Sequence, residues 1–390
     1  MNEDILNTKI QKFINDHLND DPAKLILKGS PFQNVKIQTI VEQIIAKKKC
    51  EKKLPIWFNS EVYYPNKLNI EQTSSEITAK YKSTLVSGNT LIDITGGYGV
   101  DCFYFAKVIE NITHCEINEN LSKIVAYNYK KMRLENVHTY CGNGFDYLDK
   151  INQKFDWIYV DPSRRNDVKE KVFLLEDCLP NIPEKLDLLY QYSNNLLLKT
   201  SPLLDLSATI KALKFVKEIH IIAVNNDVKE LLFILQKDYE KSIHIKTINI
   251  KKESTETFES VLNHGAIATL SLPKSYLFEP NSSILKAGLF NHISEKLGID
   301  KLHNNSHLYT SNDPVKFPGR RFKIIQISTY NKKYLSKIIP SKKANITTRN
   351  FPQTVAQIRK KIGFKDGGDH YLFFTTDISN KHIVLVCEKI

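Results

Sequence analysis

The sequence predicts a doubly wound α/β domain, preceded by helices and followed by a small α+β module, on three observations. From Thr90 onward, short apolar, β-branched runs alternate with helix-length segments, the rhythm of a parallel sheet with crossover helices. The first such run enters a glycine-rich turn and then a helix, Leu91-Ile92-Asp93-Ile94-Thr95-Gly96-Gly97-Tyr98-Gly99-Val100-Asp101. Polar turn residues recur at the ends of the next strands, the edge at which open Rossmann-like sheets bind ligands.

Taken in order, residues 1–78 place apolar side chains at helical spacing (Ile10, Phe13, Ile14 and Leu18, then Ile37, Ile40, Val41, Ile44 and Ile45) and predict an N-terminal helical region. The basic run 47–53, with Glu51 inside it, reads as a solvated helix end. Residues 79–272 make the α/β domain, with strands predicted at 91–94, 113–117, 137–141, 157–160, 196–198 and 219–224. Helices are predicted between them at 100–108, 120–132, 203–213 and 228–236, and runs at 244–250 and 266–270 complete the sheet. Past Pro273 the pattern turns irregular, and 273–320 reads as a small connecting segment with a helix over 283–297 and a turn at 317–322. Residues 321–390 predict strand, helix, strand and strand at 343–348, 354–362, 371–375 and 382–387.

Composition bounds the function. A chain of 390 residues exceeds one ordinary core, and 42% hydrophobic with 25% charged residues is normal for globular protein. Apolar runs are strand-sized, so no membrane span is predicted. The opening Met1-Asn2-Glu3-Asp4 lacks the basic-then-apolar pattern of a secretory signal. Six cysteines without a C-x-x-C pair argue against a metal cluster or disulfide framework, so a reducing cytoplasm is expected. Of the net charge of +12, residues 321–390 supply +10, from fourteen basic and four acidic side chains. Such a module suits a polyanion, because phosphate contacts gain affinity through counterion release, although charge alone also makes a soluble surface.

The turn after the first strand carries the cofactor expectation. Small residues there let the backbone approach a ligand. Asp93 discriminates among ligands: a carboxylate suits the cationic methionine part of S-adenosyl-L-methionine and repels a pyrophosphate. A dinucleotide fingerprint requires a third glycine at 102, where this chain has Cys102. Glu116, twenty-three residues after Asp93, ends the second strand where an acid can take ribose hydroxyls. After the third strand, Asn143-Gly144-Phe145 offers an amide for the adenine edge and a ring for its face. Asp161-Pro162-Ser163-Arg164-Arg165 follows the fourth.

These successive motifs, the turn from Asp93 through Thr95, Gly96, Gly97 and Gly99 to Asp101, then Glu116, Asn143 and Asp161-Pro162, resemble class I SAM-dependent methyltransferases over roughly residues 80–270. The wording Thr-Gly-Gly-Tyr-Gly-Val-Asp and Asp-Pro-Ser-Arg-Arg more closely resembles a bacterial subfamily with a ferredoxin-like segment and a THUMP-like C-terminal domain. Tyr276-Leu277-Phe278-Glu279-Pro280-Asn281, Lys286-Ala287-Gly288, Lys343-Ala344-Asn345-Ile346 and Arg349-Asn350-Phe351-Pro352 carry that likeness. Many relatives have Asp where this chain has Asn143, which still donates and accepts. THUMP domains are associated with RNA-modifying enzymes, so the resemblance implies RNA (rRNA or tRNA) as partner.

The acceptor atom stays open. Carbon-5 pyrimidine methylation requires a cysteine nucleophile, and the fourth and fifth strand ends have none; Cys178 is expected inside a helix as a structural residue. Amine methylation fits Asp161-Pro162 with Asp161 as acceptor, although the aromatic clamp of an Asp/Asn-Pro-Pro-aromatic turn is missing. For ribose 2′-O-methylation, Asp161 and Lys199 resemble the middle pair of a Lys-Asp-Lys-Glu tetrad. Arg164 and Arg165 are candidates for substrate phosphate, or for pairing with Asp167 and Glu170; Lys342, Lys343, Arg349, Arg359 and Lys360 are the candidates on the tail. His114, His138 and His220 lie in strand-like runs and imply no metal. The competing readings are a protein or small-molecule methyltransferase and a non-catalytic RNA-binding protein that keeps the fold.

Overall fold

The computed structural model describes residues 1–58, 61–164, 174–262 and 265–390, with the backbone alone at Arg164. Helices α1 (Thr8–Asp16), α2 (Pro22–Lys28), α3 (Ile37–Lys53), α4 (Pro55–Phe58), α5 (Lys67–Gln72) and α6 (Glu76–Ser83) come first. Then follow β1 (Thr90–Asp93), α7 (Val100–Phe105), β2 (Asn111–Glu116), α8 (Glu119–Lys131), β3 (Val137–Cys141), α9 (Gly144–Ile151), β4 (Trp157–Val160), β5 (Ser163–Arg164), β6 (Cys178–Leu179), α10 (Ile182–Tyr192), β7 (Asn195–Thr200) and α11 (Leu206–Ala212). The chain continues through β8 (Val216–Val224), β9 (Asp227–Gln236), β10 (His244–Ile250), β11 (Thr255–Val261), β12 (Tyr276–Pro280), α12 (Ser282–Ala287), α13 (Phe290–Leu297), β13 (Asp300–Lys301) and β14 (Tyr309–Ser311). It closes with β15 (Gly319–Ser328), α14 (Lys332–Ile338), β16 (Asn345–Arg349), α15 (Val355–Ile362), β17 (His370–Thr376) and β18 (His382–Lys389). Two compact units result, Met1–Lys217 with Leu232–Glu240, and Glu218–Leu231 with Lys241–Ile390.

In the first unit the parallel strands run in the order β7-β4-β1-β2-β3. The order reverses at β1, so the carboxyl ends of β1 and β4 face a topological switch point, where such sheets open a crevice. Every residue of β4 is buried, and so are the last three of β1, as strands covered by helices on both faces require. Asparagines end the strand-to-helix loops: Asn118 caps α8 by accepting from Leu121 N–H, and Asn143 caps α9 by accepting from Phe145 N–H. Among the described residues, no helix is long and apolar enough to cross a membrane.

Several elements differ from expectation. Residues 228–236, predicted as a helix, form β9. The Leu231–Leu235 run is buried at every position, which periodicity cannot separate from a buried helix. Asn225 and Asn226, both at positive φ, make the tight turn that sends β8 back as β9. The 266–270 run forms no strand; only Leu270 makes an isolated bridge, to Lys301. Its place beside β10 is taken by β11, whose Thr-Glu-Thr-Phe-Glu-Ser-Val alternation is too polar to stand out as a strand. The 283–297 helix is broken in two at Gly288 (φ 68°), and the expected 317–322 turn opens β15. Cys178 starts a short strand rather than sitting in a helix.

The second unit holds β8 from Glu218, with β10 parallel and β11 antiparallel beyond it, and a separate sheet ordered β13-β14-β12-β15-β18-β17-β16. Among the described residues of that sheet, β16 and β17 pair in parallel and the other ladders are antiparallel. Helices α14 and α15 cover one face, with Leu335, Ile339, Ile358 and Ile362 against Leu372, Phe374, Val384 and Val386. The opposite face packs Phe322, Phe373 and Leu385 against Leu277, Leu302 and Leu308. The strand, helix, strand and strand expected in the tail appear as β16, α15, β17 and β18, but their sheet also takes in β12, β13 and β14 from the residues expected to form a separate connecting segment.

Candidate active site

The turn after β1 is organised by Asp93. Its carboxylate is 1% exposed and accepts from Thr95 N–H (2.9 Å), Thr95 Oγ1 (3.3 Å) and Cys102 Sγ (3.4 Å). Burial pushes this carboxyl up to about 7; the Thr95 N–H opposes the rise, and the charges of Asp101 and Asp161 add to it. The glycines divide by role. A Cβ on Gly96 would lie 2.2 Å from Nε2 of the fully buried His114, and one on Gly99 2.2 Å from the Tyr129 hydroxyl. Those two are required by packing inside the protein. Gly97, at φ 55°, would meet nothing nearer than the Thr95 carbonyl at 3.8 Å, so its backbone is the part of the turn left open to a ligand. Burial lowers His114 to about 4, so this ring is a neutral packing element.

Glu116 ends β2 beside that turn. Its carboxylate accepts from Gly97 N–H (2.9 Å) and Asn118 N–H (2.7 Å), which aims it along the open edge with lone pairs to spare. Ile117 follows it, 74% exposed, an apolar side chain at the mouth of a polar edge that sequence reasoning missed. The signal was a β-branched residue one place beyond the strand's acid. Asn143 is exposed and its Oδ1 is taken by Phe145 N–H (2.9 Å), so base recognition there would fall to its amide nitrogen. Gly144 is close-packed, since a Cβ would lie 2.5 Å from Ile94 Cβ, and Phe145 is half-buried.

Asp161 leaves β4 directly opposite. Its N–H donates to Thr95 Oγ1 (2.7 Å), and its carboxylate holds the ammonium of Lys199 from β7. Pro162 is buried behind it. One hydrogen-bonded chain therefore joins Asp93, Thr95, Asp161 and Lys199 across three strand ends. Lys53, at the end of α3, donates to the carbonyls of Ile70 and Glu71 (2.8 Å each). Burial and then the charge of Lys199 lower its ammonium to about 8. A helix that the sequence offered as a solvated end thus delivers a perturbed lysine toward the Asp161–Lys199 pair. Among the described residues, no group of His, Cys, Asp or Glu could hold a metal ion. Arg164 contributes its backbone to β5, paired with β6; Arg165, Asp167 and Glu170 lie outside the described residues.

The tail candidates separate. Lys342, Lys343 and Lys360 are exposed. Arg359 bonds the Ala344 carbonyl (3.2 Å) and the Asp366 carboxylate. Arg349 pairs with the buried Glu279 (2.8 Å) on the sheet face opposite α14 and α15. The loop after α15 returns beside the lysines, Lys365 N–H donating to the Lys342 carbonyl (2.9 Å), and Lys332 Nζ approaches the Gly363 end of α15.

Comparison with known proteins bears on the fold and on the C-terminal domains. Residues 276–318 match a ferredoxin-like domain family, and residues 319–389 a THUMP-domain-like family. No curated protein matches the sequence. A solved structure described as a candidate methyltransferase, from Porphyromonas gingivalis W83, is 30% identical over 100% of this chain and 99% of its own, with a TM-score of 0.87. M. capricolum TrmK with S-adenosyl-homocysteine is 15% identical over 42% of this chain and 68% of its own, TM-score 0.33. An rRNA methylase from Streptococcus thermophilus is 11% identical over 41% of this chain and 94% of its own, TM-score 0.31. The last two likenesses are too slight to argue from. The full-length match, the doubly wound sheet and the two domain families together place this chain in the bacterial methyltransferase family that carries a ferredoxin-like segment and a THUMP-like C-terminal domain.

Proposed function

We propose that this protein transfers a methyl group from S-adenosyl-L-methionine to RNA, with residues 79–272 as the catalytic domain and residues 1–78, 273–320 and 321–390 as its helical, connecting and THUMP-like parts. The hydrogen-bonded chain Asp93–Thr95–Asp161–Lys199 carries the reading. It couples the cofactor edge of β1 to the acceptor edge of β4 at the switch point. The residues fit the cofactor: Gly97 leaves its backbone open, Glu116 presents carboxylate lone pairs to ribose hydroxyls, and Ile117 and Phe145 supply apolar surface for an adenine. When bound, S-adenosyl-L-methionine supplies an electrophilic sulfonium methyl.

The chain's own work is positioning. Asp161, steadied by Lys199 and by the Thr95 hydroxyl, accepts from the N–H or O–H of the acceptor and turns its lone pair toward the methyl. Pro162 stiffens that loop. A base amine and a ribose hydroxyl both meet this description. RNA is favoured over a protein or small molecule by the THUMP-like match and by the exposed lysines around α15.

Calorimetric titration of the protein with S-adenosyl-L-methionine, repeated on Asp93→Ala, tests the cofactor. Affinity on the order of micromolar, lost in the variant, is expected. Transfer of labelled methyl to RNA extracted from cells, and not to extracted protein, tests the substrate. A well-folded wild type that binds no cofactor would overturn the enzyme reading in favour of a non-catalytic RNA-binding protein.

A further inference from the structure

Three motifs remain unused by this mechanism, and the second unit brings them together. Phe278-Glu279-Pro280 ends β12, Gly319-Arg320 opens β15 and Arg349 ends β16. Glu279 is 3% exposed, and its carboxylate takes Arg320 Nε (2.5 Å) and Arg349 Nη2 (2.8 Å). Gly319 permits the approach, since a Cβ there would lie 2.1 Å from the Glu279 carbonyl. Arg320 lies over the rings of Phe322 (5.5 Å) and Phe373 (5.9 Å) and reaches Thr347 Oγ1 (3.3 Å). Both arginines stay more than a third exposed, at 38% and 36% of the side chain.

The charge around them is one-sided. Thr375 Oγ1 donates to Ser306 Oγ (3.1 Å), and Ser306 Oγ to the Thr376 carbonyl (2.8 Å), which binds the loop before β14 to the end of β17. Thr375 pairs in register with Arg349, so His307, next to Ser306, falls on the side of that guanidinium. Burial, then Lys301, then Arg349 lower the His307 imidazole to about 4. Lys301 is 2% exposed, and its ammonium bonds Asn291 Oδ1 (3.3 Å) and the Asn304 carbonyl (2.9 Å), both neutral. Arg349 Nε and His307 Nδ1 are buried with no hydrogen-bond partner. Two guanidinium groups thus share one carboxylate, and leaving a buried donor unpaired costs about 1–3 kcal/mol. A purely structural Arg–Glu–Arg triad has no use for the orphaned Arg349 Nε–H or the unpartnered His307 Nδ1 beside it.

We propose that Arg320, Arg349 and His307 form a phosphate site, with Glu279 holding the two guanidinium forks in place for the ligand. Forked donors fit phosphate oxygens two at a time. That the phosphate belongs to RNA, as a backbone or a 5′-terminal group, rests on the function proposed above; the site itself does not.

The full-length protein is titrated with inorganic phosphate at constant ionic strength, chloride replacing phosphate in the control, while the arginine Nε–H resonances are followed by NMR. Saturable binding that shifts the Arg349 resonance is expected, weakened about tenfold or more by Arg349→Lys, which keeps the charge and loses the fork. His307→Gln, which leaves the Glu279 pair intact, should weaken it by a smaller factor. Single-stranded RNAs of one sequence with 5′-phosphate or 5′-hydroxyl then identify the owner. Preference for the phosphorylated end assigns a terminal phosphate, and equal affinity, weakened by Arg349→Lys, assigns the backbone. Folded wild type that binds no phosphate beyond the chloride control, or Arg349→Lys that binds as wild type does, overturns the site. S-adenosyl-L-methionine titration of the same samples separates the two failures, since cofactor binding survives the loss of this site.

Discussion

One methyl group distinguishes the glycines of the turn after β1. Gly96→Ala drives a Cβ to within 2.2 Å of the buried His114 ring, so it should lower stability by about 1–3 kcal/mol in urea unfolding. Gly97→Ala places a side chain at φ 55° in open space; about 1 kcal/mol of backbone strain is expected, with a larger loss of cofactor affinity, about tenfold or more. Asp93 makes a pH prediction. Its folded carboxyl titrates near 7, above an unfolded value of about 3.9, so folding favours the protonated form. The associated stability is present in full below the unfolded value and is lost as pH rises through the folded one. A ligand bearing an ammonium favours the ionised form, so cofactor affinity should climb between pH 6 and 8, a window set by a carboxyl pushed up to about 7. Calorimetry across that range checks it: Asp93→Asn should bind weakly with a flattened profile, and an unchanged slope would remove Asp93 from the site.

At the scale of elements, a buried ion pair joins α6 to α7. Lys82 is 0% exposed and meets Asp101 Oδ1 (3.1 Å), while Ser74 Oγ (2.8 Å) and the Tyr159 hydroxyl (2.7 Å) donate to Oδ2. Burial pushes the Asp101 carboxyl up, and the ammonium groups of Lys82 and then Lys199 outweigh it and hold it below the usual range. Lys82→Met leaves that carboxylate buried and uncompensated, so a loss of about 3–5 kcal/mol is expected in urea unfolding, partly recovered by adding Asp101→Asn. The cluster ties the helices before the sheet to the residue that closes the glycine turn. The N-terminal helices therefore support the edge proposed for the cofactor, and Lys53 extends them toward Asp161 and Lys199.

For the whole molecule, the decisive quantity is where charge accumulates along the chain. Most of the excess lies in residues 321–390, but the fold sorts it. Arg349 and Arg359 carry carboxylate partners, whereas Lys342, Lys343 and Lys360 are exposed. Replacing those three lysines by glutamate should weaken RNA binding with little preference for sequence, and should reduce the slope of log K against log salt by about 2–3. Fluorescence anisotropy at several salt concentrations measures this, with S-adenosyl-L-methionine binding unchanged. An unaltered slope would move the RNA surface elsewhere.

The sheet strands that bear the candidate site were legible because their signals are local: β-branched runs, a glycine turn and an acid or amide at each strand end lie within a few residues of one another. So was the placement of Asp93, Glu116 and Asp161 along one edge, since parallel strands end on the same side of the sheet. Strand β9 was not, because an all-apolar run carries no period and only the neighbours of a strand decide its pairing. The division of the glycines into packing and open positions, the partners of Lys53, and the meeting of Glu279 with an arginine seventy residues away on β16 belong to the tertiary structure alone. Spacing along the chain records which residues follow one another, whereas a carboxylate chooses its cation by distance and burial, and those exist only once the sheets have closed.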